Sequence, residues 1–170
     1  SPRDLDPSVR SVHLSKDGGG SWANVTPGDI PDWTRIDVIE VSPHQPSTAY
    51  ISATRYKHDD VRPFLYKTKD FGATWQKIVD GIPEDDFTRV IREDTERPGL
   101  LYVGTEMGIY VSFDGGETWQ SLRCNLPTVP VTDLAVRGNE LLASTNGRGF
   151  WILGDLTVLR QFGRGVGDAD

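Results

Sequence analysis

The residues best placed to do chemistry are three aspartates set in one repeated pattern. Asp114 lies in Ser112-Phe113-Asp114-Gly115-Gly116-Glu117-Thr118-Trp119, Asp70 in Thr68-Lys69-Asp70-Phe71-Gly72-Ala73-Thr74-Trp75, and Asp17 in Ser15-Lys16-Asp17-Gly18-Gly19-Gly20-Ser21-Trp22. Each copy runs Ser/Thr, Asp two places on, Gly two after that, Ser/Thr two further, then Trp. Such carboxylates could act as general acids and bases, or as oxygen ligands for calcium. The pattern argues for a different use. Identical carboxylates recurring once per repeat cannot all converge on one site. An Asp before Gly can instead fold back onto the N–H groups of a tight turn, with the glycines taking positive φ. Ser15, Asp17 and Gly19, Thr68, Asp70 and Gly72, and Ser112, Asp114 and Gly116 are therefore expected to staple turns. Trp22, Trp75 and Trp119 are expected to be packing anchors.

The elements that position these turns also repeat. Tyr50-Ile51-Ser52-Ala53-Thr54 matches Tyr102-Val103-Gly104-Thr105, and both match Leu142-Ala143-Ser144-Thr145. Ile30-Pro31, Ile82-Pro83 and Leu126-Pro127 each follow a copy of the pattern. One repeat holds four alternating apolar runs, Phe87–Arg92, Leu100–Thr105, Gly108–Phe113 and Thr118–Leu122, separated by turn residues. Four short antiparallel strands at a period of roughly 40–50 residues are the signature of a propeller blade. The expected fold is all-β, with about three and a half four-stranded antiparallel blades of a partial β-propeller. Residues 11–26 give the last two strands of an incomplete blade. Residues 34–80 and 87–122 form full blades, and 131–161 a closing blade whose outer strand is Thr157–Arg160. Residues 1–10 form an extension and 162–170 a tail without period.

Composition bounds the function. The chain has 170 residues, 18 Gly, 11 Pro, five Trp and a net charge of -7. A continuous groove for nucleic acid needs a surplus of Lys and Arg and is not expected. The one cysteine, Cys124, cannot form an internal disulfide. No apolar run is long enough to cross a bilayer. A start at Ser1 without an initiator Met suggests processing or a cut from a longer chain.

The three copies fit S/T-x-D-x-G-x-T/S-W, and there the sequence resembles the Asp-box, or BNR-repeat, proteins. The segment Thr145-Asn146-Gly147-Arg148-Gly149-Phe150-Trp151-Ile152-Leu153 with Asp155–Gln161 is similar to a closing segment of bacterial proteins labelled sortilin-like, Vps10-like or glycosyl hydrolase BNR repeat. The resemblance implies the propeller fold and leaves function open, because the box occurs in sialidases, xyloglucanase-like hydrolases, photosystem II assembly factors and sortilin receptors. Sialidases use a Tyr with a Glu partner and three Arg, for which Arg35, Arg89, Arg148, Tyr56, Tyr110 and Glu106 are candidates. Arg35 and Arg89 are expected at matching blade positions, which favours a scaffold role. The acidic runs Glu84-Asp85-Asp86 and His58-Asp59-Asp60 are expected to be solvated loops. The scattered histidines His13, His44 and His58 lack metal-ligand spacing, and neither metal nor cofactor is expected.

Loops of one propeller face are the better candidates for contact. Trp33, Arg55, Tyr56, Lys57, His58, Glu106, Met107 and Arg148 are the residues proposed to meet a partner. The expected function is a non-catalytic module for protein–protein interaction or assembly, outside the cytoplasm, within a larger and possibly membrane-associated complex. Its partners would be other subunits or further blades that cover the open blade flanks. The alternative is a fragment of a sialidase-like or glycoside-hydrolase-like enzyme, or of a sortilin-like receptor.

Overall fold

The computed structural model describes residues 11–123 and 125–162. The expectations for residues 1–10, Cys124 and 163–170 lie outside the described residues. Thirteen strands form four antiparallel sheets in chain order. β1 (His13–Leu14) pairs with β2 (Ala23–Asn24). The second sheet holds β3 (Arg35–Val41), β4 (Ala49–Arg55), β5 (Asp60–Thr68) and β6 (Gln76–Lys77), each hydrogen-bonded to the next. The third repeats that order with β7 (Thr88–Glu93), β8 (Leu101–Thr105), β9 (Ile109–Ser112) and β10 (Gln120–Ser121). The fourth has three strands, β11 (Val131–Arg137), β12 (Glu140–Thr145) and β13 (Phe150–Gly154). These are the blades read from the period, and the sheets stack face to face in sequence.

Alternation explains the stacking. On β8 and β9, Leu101, Val103 and Tyr110 face the preceding blade and join Tyr50, Leu65, Ile78 and Ile82. Tyr102, Ile109 and Val111 point the other way and join Val131, Leu134 and Leu141 of the following blade. Strands apolar on both faces are what a stack of blades requires, since each sheet is an inner layer. Each innermost strand carries a bulge near its start, between Ile36 and Val38, Thr88 and Val90, and Val131 and Asp133.

Two expectations are corrected. Thr157–Arg160 is not an outer strand: Thr157–Gln161 forms one helical turn and a little more, α1. Asp155 takes φ +60° and accepts a bond from the Thr157 N–H, which turns the chain out of the extended direction. The turn then buries Leu156 and brings Leu159 against the same core. It also delivers the Arg160 Nε to Asp94 at 3.0 Å. Secondly, Arg35 and Arg89 do not occupy matching positions. Val38 pairs with Ser52 where Val90 pairs with Gly104, so the bulge residue matching Arg89 is Asp37.

Candidate functional site

The three box turns have the same hydrogen bonds. In each, the first Ser or Thr hydroxyl donates to the Asp, at 2.8 Å for Ser15 and Thr68 and 2.7 Å for Ser112. That hydroxyl oxygen accepts the N–H of Gly19, Gly72 or Gly116. The other Asp bonds come from the backbone N–H and the hydroxyl of Ser21, Thr74 or Thr118. The carboxylates are thereby held ionised. The Ser21 hydroxyl, then its N–H, keeps Asp17 well below the usual carboxylate range. The Thr74 hydroxyl leads in lowering Asp70 to about 2. At Asp114 burial pushes upward, but the bonds from Thr118 and Ser112 outweigh it and the net shift is downward. A carboxylate that already accepts so many short bonds is a poor proton shuttle.

Each box also reaches across to the preceding blade. The Trp119 indole N–H donates to Ile78 O at 2.9 Å, and the Trp75 indole N–H to Val25 O at 2.6 Å. The box glycine meets the same residue. A Cβ on Gly116 would come within 2.7 Å of the Ile78 side chain, and one on Gly72 within 2.7 Å of Val25. Trp22 has no such neighbour among the described residues and departs from the anchor role expected of it. It is 64% exposed where Trp119 is 4% exposed. The reason is positional: β1 and β2 are the first strands described, and no earlier sheet offers a carbonyl to the indole.

The loop face is more tightly built than its sequence suggested. Asp86, read as part of a solvated run, is fully buried. It accepts bonds from the Thr105 hydroxyl at 2.9 Å, the Met107 N–H at 3.0 Å and the Tyr110 hydroxyl at 3.1 Å. Burial raises its pKa, against the pull of those three donors. Asp60 is likewise not a free loop acid. It clamps Arg55 and Arg62, at 2.9 and 2.8 Å, and the Arg62 bond leads in holding its pKa low. Arg55 is thus committed inside the loop and is a weaker contact candidate than its sequence position implied.

The remaining loop residues fall into small groups. Tyr56 stacks on Phe87 with ring centroids 5.2 Å apart. Arg89 lies over both rings and pairs with Glu106, its Nε 2.9 Å from the carboxylate. Phe87, which the sequence reading placed only in a strand, is the floor of this cluster. Trp33 sits 5.9 Å from the His58 ring, with its backbone at φ +64°. Trp33, Met107 and His58 are exposed, as are Lys57 and Arg148. Arg148, on the β12–β13 connection, is not among the residues drawn into the Arg89 group.

Arg35 pairs with Asp37, so it does not join Arg89 and Glu106. Of three cavities among the described residues, none is lined by Arg35, Arg89 or Glu106. No three His, Cys, Asp or Glu side chains gather as a metal-binding group among the described residues.

The BNR/Asp-box repeat model matches residues 110–121, the third box with its flanking strands. Solved propellers share the fold over most of the chain. The GH74 xyloglucanase from Xanthomonas campestris is similar with a TM-score of 0.64 and 22% identity, over 85% of this chain and 24% of that one. The structure of YCF48 bound to D1 peptide is similar with a TM-score of 0.62 and 20% identity, over 84% of this chain and 44% of that one. YCF48 from Cyanidioschyzon merolae gives 0.52 and 16%, over 85% and 49%. The fold is a partial Asp-box β-propeller. At these identities the likeness carries fold alone. The propeller chain spans less than half the length of each of these structures. No curated protein matches it by sequence.

Proposed function

We propose that the propeller is a non-catalytic module for protein–protein interaction or assembly, acting within a larger body. The observation that carries this reading is the bare flank at Trp22. Two boxes of the same chain bury their Trp and Gly against a preceding blade, and the first box has the same residues with nothing to meet. An uncovered indole on a rigid sheet flank favours association, because covering it removes a large apolar area from water. The far flank adds to this, with Phe150 and Ile152 exposed on the outward face of β13. A structural neighbour, YCF48, has been solved with a bound peptide, and a protein ligand suits this propeller as well.

We further propose that the complex lies outside the cytoplasm and is associated with a membrane through other subunits. No helix among the described residues is long and apolar enough to cross a membrane. The similarity of the closing segment to sortilin-like propellers supports that placement and stays part of the proposal.

Sedimentation velocity of the 170-residue chain tests the reading. Concentration-dependent association that weakens in Trp22→Ser or Phe150→Ser supports it. A stable monomer at all concentrations, with neither variant changing any interaction, overturns it.

The second reading is a piece of a glycoside hydrolase, favoured by the likeness to GH74 xyloglucanases and by the Arg89–Glu106 pair beside stacked rings. Hydrolysis of xyloglucan oligosaccharides that disappears in Glu106→Gln would establish it in place of the first.

A further inference from the structure

We propose that a β-hairpin from polypeptide outside residues 1–170 completes the first blade, pairing with the inner edge of β1 and covering Ile39 and Val41. This inference rests on the interaction reading above and names what covers one part of the flank.

The two complete junctions show what belongs there. β7 packs against β3 and β4, and β11 against β7 and β8, so an innermost strand lies on the two inner strands of the blade before it. β3 has no such cover. The ladders make Ile39, Ile91 and Leu134 equivalent, since they pair with Ile51, Val103 and Ala143. Ile91 is 0% exposed and Leu134 1%, but Ile39 is 49% exposed. One step on, Glu93 and Val136 are buried while Val41 is exposed. The preceding sheet, β1–β2, corresponds to the third and fourth strands of a blade and covers only the outer half of this face, around Ile51 and Phe64. An apolar hollow of about 190 Å³ opens where the inner half is bare, lined by Leu14, Val25, Ile39, Val41, Ala49 and Trp75.

The free edge specifies the occupant. β1 bonds to β2 on one side and has no strand on its inner side among the described residues. An unpaired edge beside an apolar strip is a template for strand addition. One strand would satisfy the edge and the second would lie over Ile39 and Val41, as β8 and β7 lie beside β9 in the complete blade. Residues 1–10 are too few to supply such a hairpin, since β3, β4 and their connection run from Arg35 to Arg55. The blades of a second copy fit poorly, because each carries a third strand, β5, β9 or β13, where β1 already lies.

The probe is a cyclised hairpin of residues 88–105, which is the β7–β8 unit that covers Leu134 and Val136 in this chain. It is titrated into the isotope-labelled 170-residue protein. Saturable amide shifts at His13, Leu14, Ile39 and Val41 are expected. Binding should weaken by roughly tenfold or more in the Ile39→Asp/Val41→Asp double variant and stay unchanged in Phe150→Ser. Both substituted side chains are exposed, so the variant should keep its urea midpoint, which is measured alongside. Shifts mapping elsewhere, or binding indifferent to Ile39 and Val41, overturn the proposal. So does a dimer that dissolves in the double variant while the hairpin fails to bind, which assigns the strip to a second copy. Binding seen only after deletion of residues 1–10 assigns it to that segment and also overturns it. Association that depends on Trp22 survives any of these results, so the interaction reading and the hairpin fail separately.

Discussion

The indole N–H of Trp119 donates to the carbonyl of Ile78 at 2.9 Å, and Gly116 of the same box lies against the Ile78 side chain. One residue of the outer strand's end thus receives both the ring and the backbone of the next box. This junction fixes the spacing between blades, because a Cβ on Gly116 would overlap Ile78 and a missing indole would orphan its carbonyl. Trp119→Ala should cost about 3–5 kcal/mol through lost burial and the cavity left behind. Trp119→Phe should cost about 1–2 kcal/mol for the lost hydrogen bond. Trp22→Ala should change the isolated chain by no more than about 0.5 kcal/mol. Urea midpoints of the three variants check the order, and equal losses at Trp22 and Trp119 would contradict the account.

Acid should weaken the fold through the boxes. An unfolded aspartate titrates near about 4, while in the folded chain the Thr74 hydroxyl leads in holding Asp70 at about 2. Asp17 and Asp114 shift in the same direction. The unfolded state therefore binds more protons in that window, and the stabilisation is full above about pH 4 and fades as pH falls toward about 2. Asp86 opposes this, since burial raises its pKa and the folded state takes up its proton first. Urea midpoints across this range should fall with pH, and Asp70→Asn should flatten the fall.

Asp94 and Arg160 tie α1 to the third sheet. The Asp94 side chain is fully buried, and it also accepts the N–H groups of Glu96 and Arg97, both at 2.9 Å. Arg160→Ala leaves that carboxylate without its cation and should cost about 3 kcal/mol. Hydrogen exchange should rise at residues 157–161 well before the sheets respond. Uniform loosening of all four sheets would argue against a local tie.

Asp86 organises the loop face from below. Asp86→Ala would strip the Thr105 hydroxyl, the Met107 N–H and the Tyr110 hydroxyl of their acceptor, at a cost of about 2–3 kcal/mol. The Met107 amide should lose exchange protection, while the box glycines keep theirs. An unchanged Met107 amide would show that the loop is held by other bonds.

The repeat, the strand order within a blade and the turn at each box were legible in the sequence because they are local. A Ser/Thr-x-Asp-x-Gly-x-Thr/Ser-Trp run closes its own hydrogen bonds within eight residues, and alternation over four to seven residues sets which faces pack. Asp86 was not legible: among Glu84, Asp85 and Asp86 only the last points inward, and its partners come from the Thr105–Tyr110 hairpin. The helical turn at Thr157–Gln161 was missed because an alternating apolar run reads as a strand, until the pull of buried Asp94 on Arg160 is known. The sequence alone determined that this chain makes Asp-box blades, since that chemistry lies within each repeat. Only the tertiary structure decided which boxes find a neighbour, because Trp22, Trp75 and Trp119 share one motif and differ solely in whether a blade stands before them.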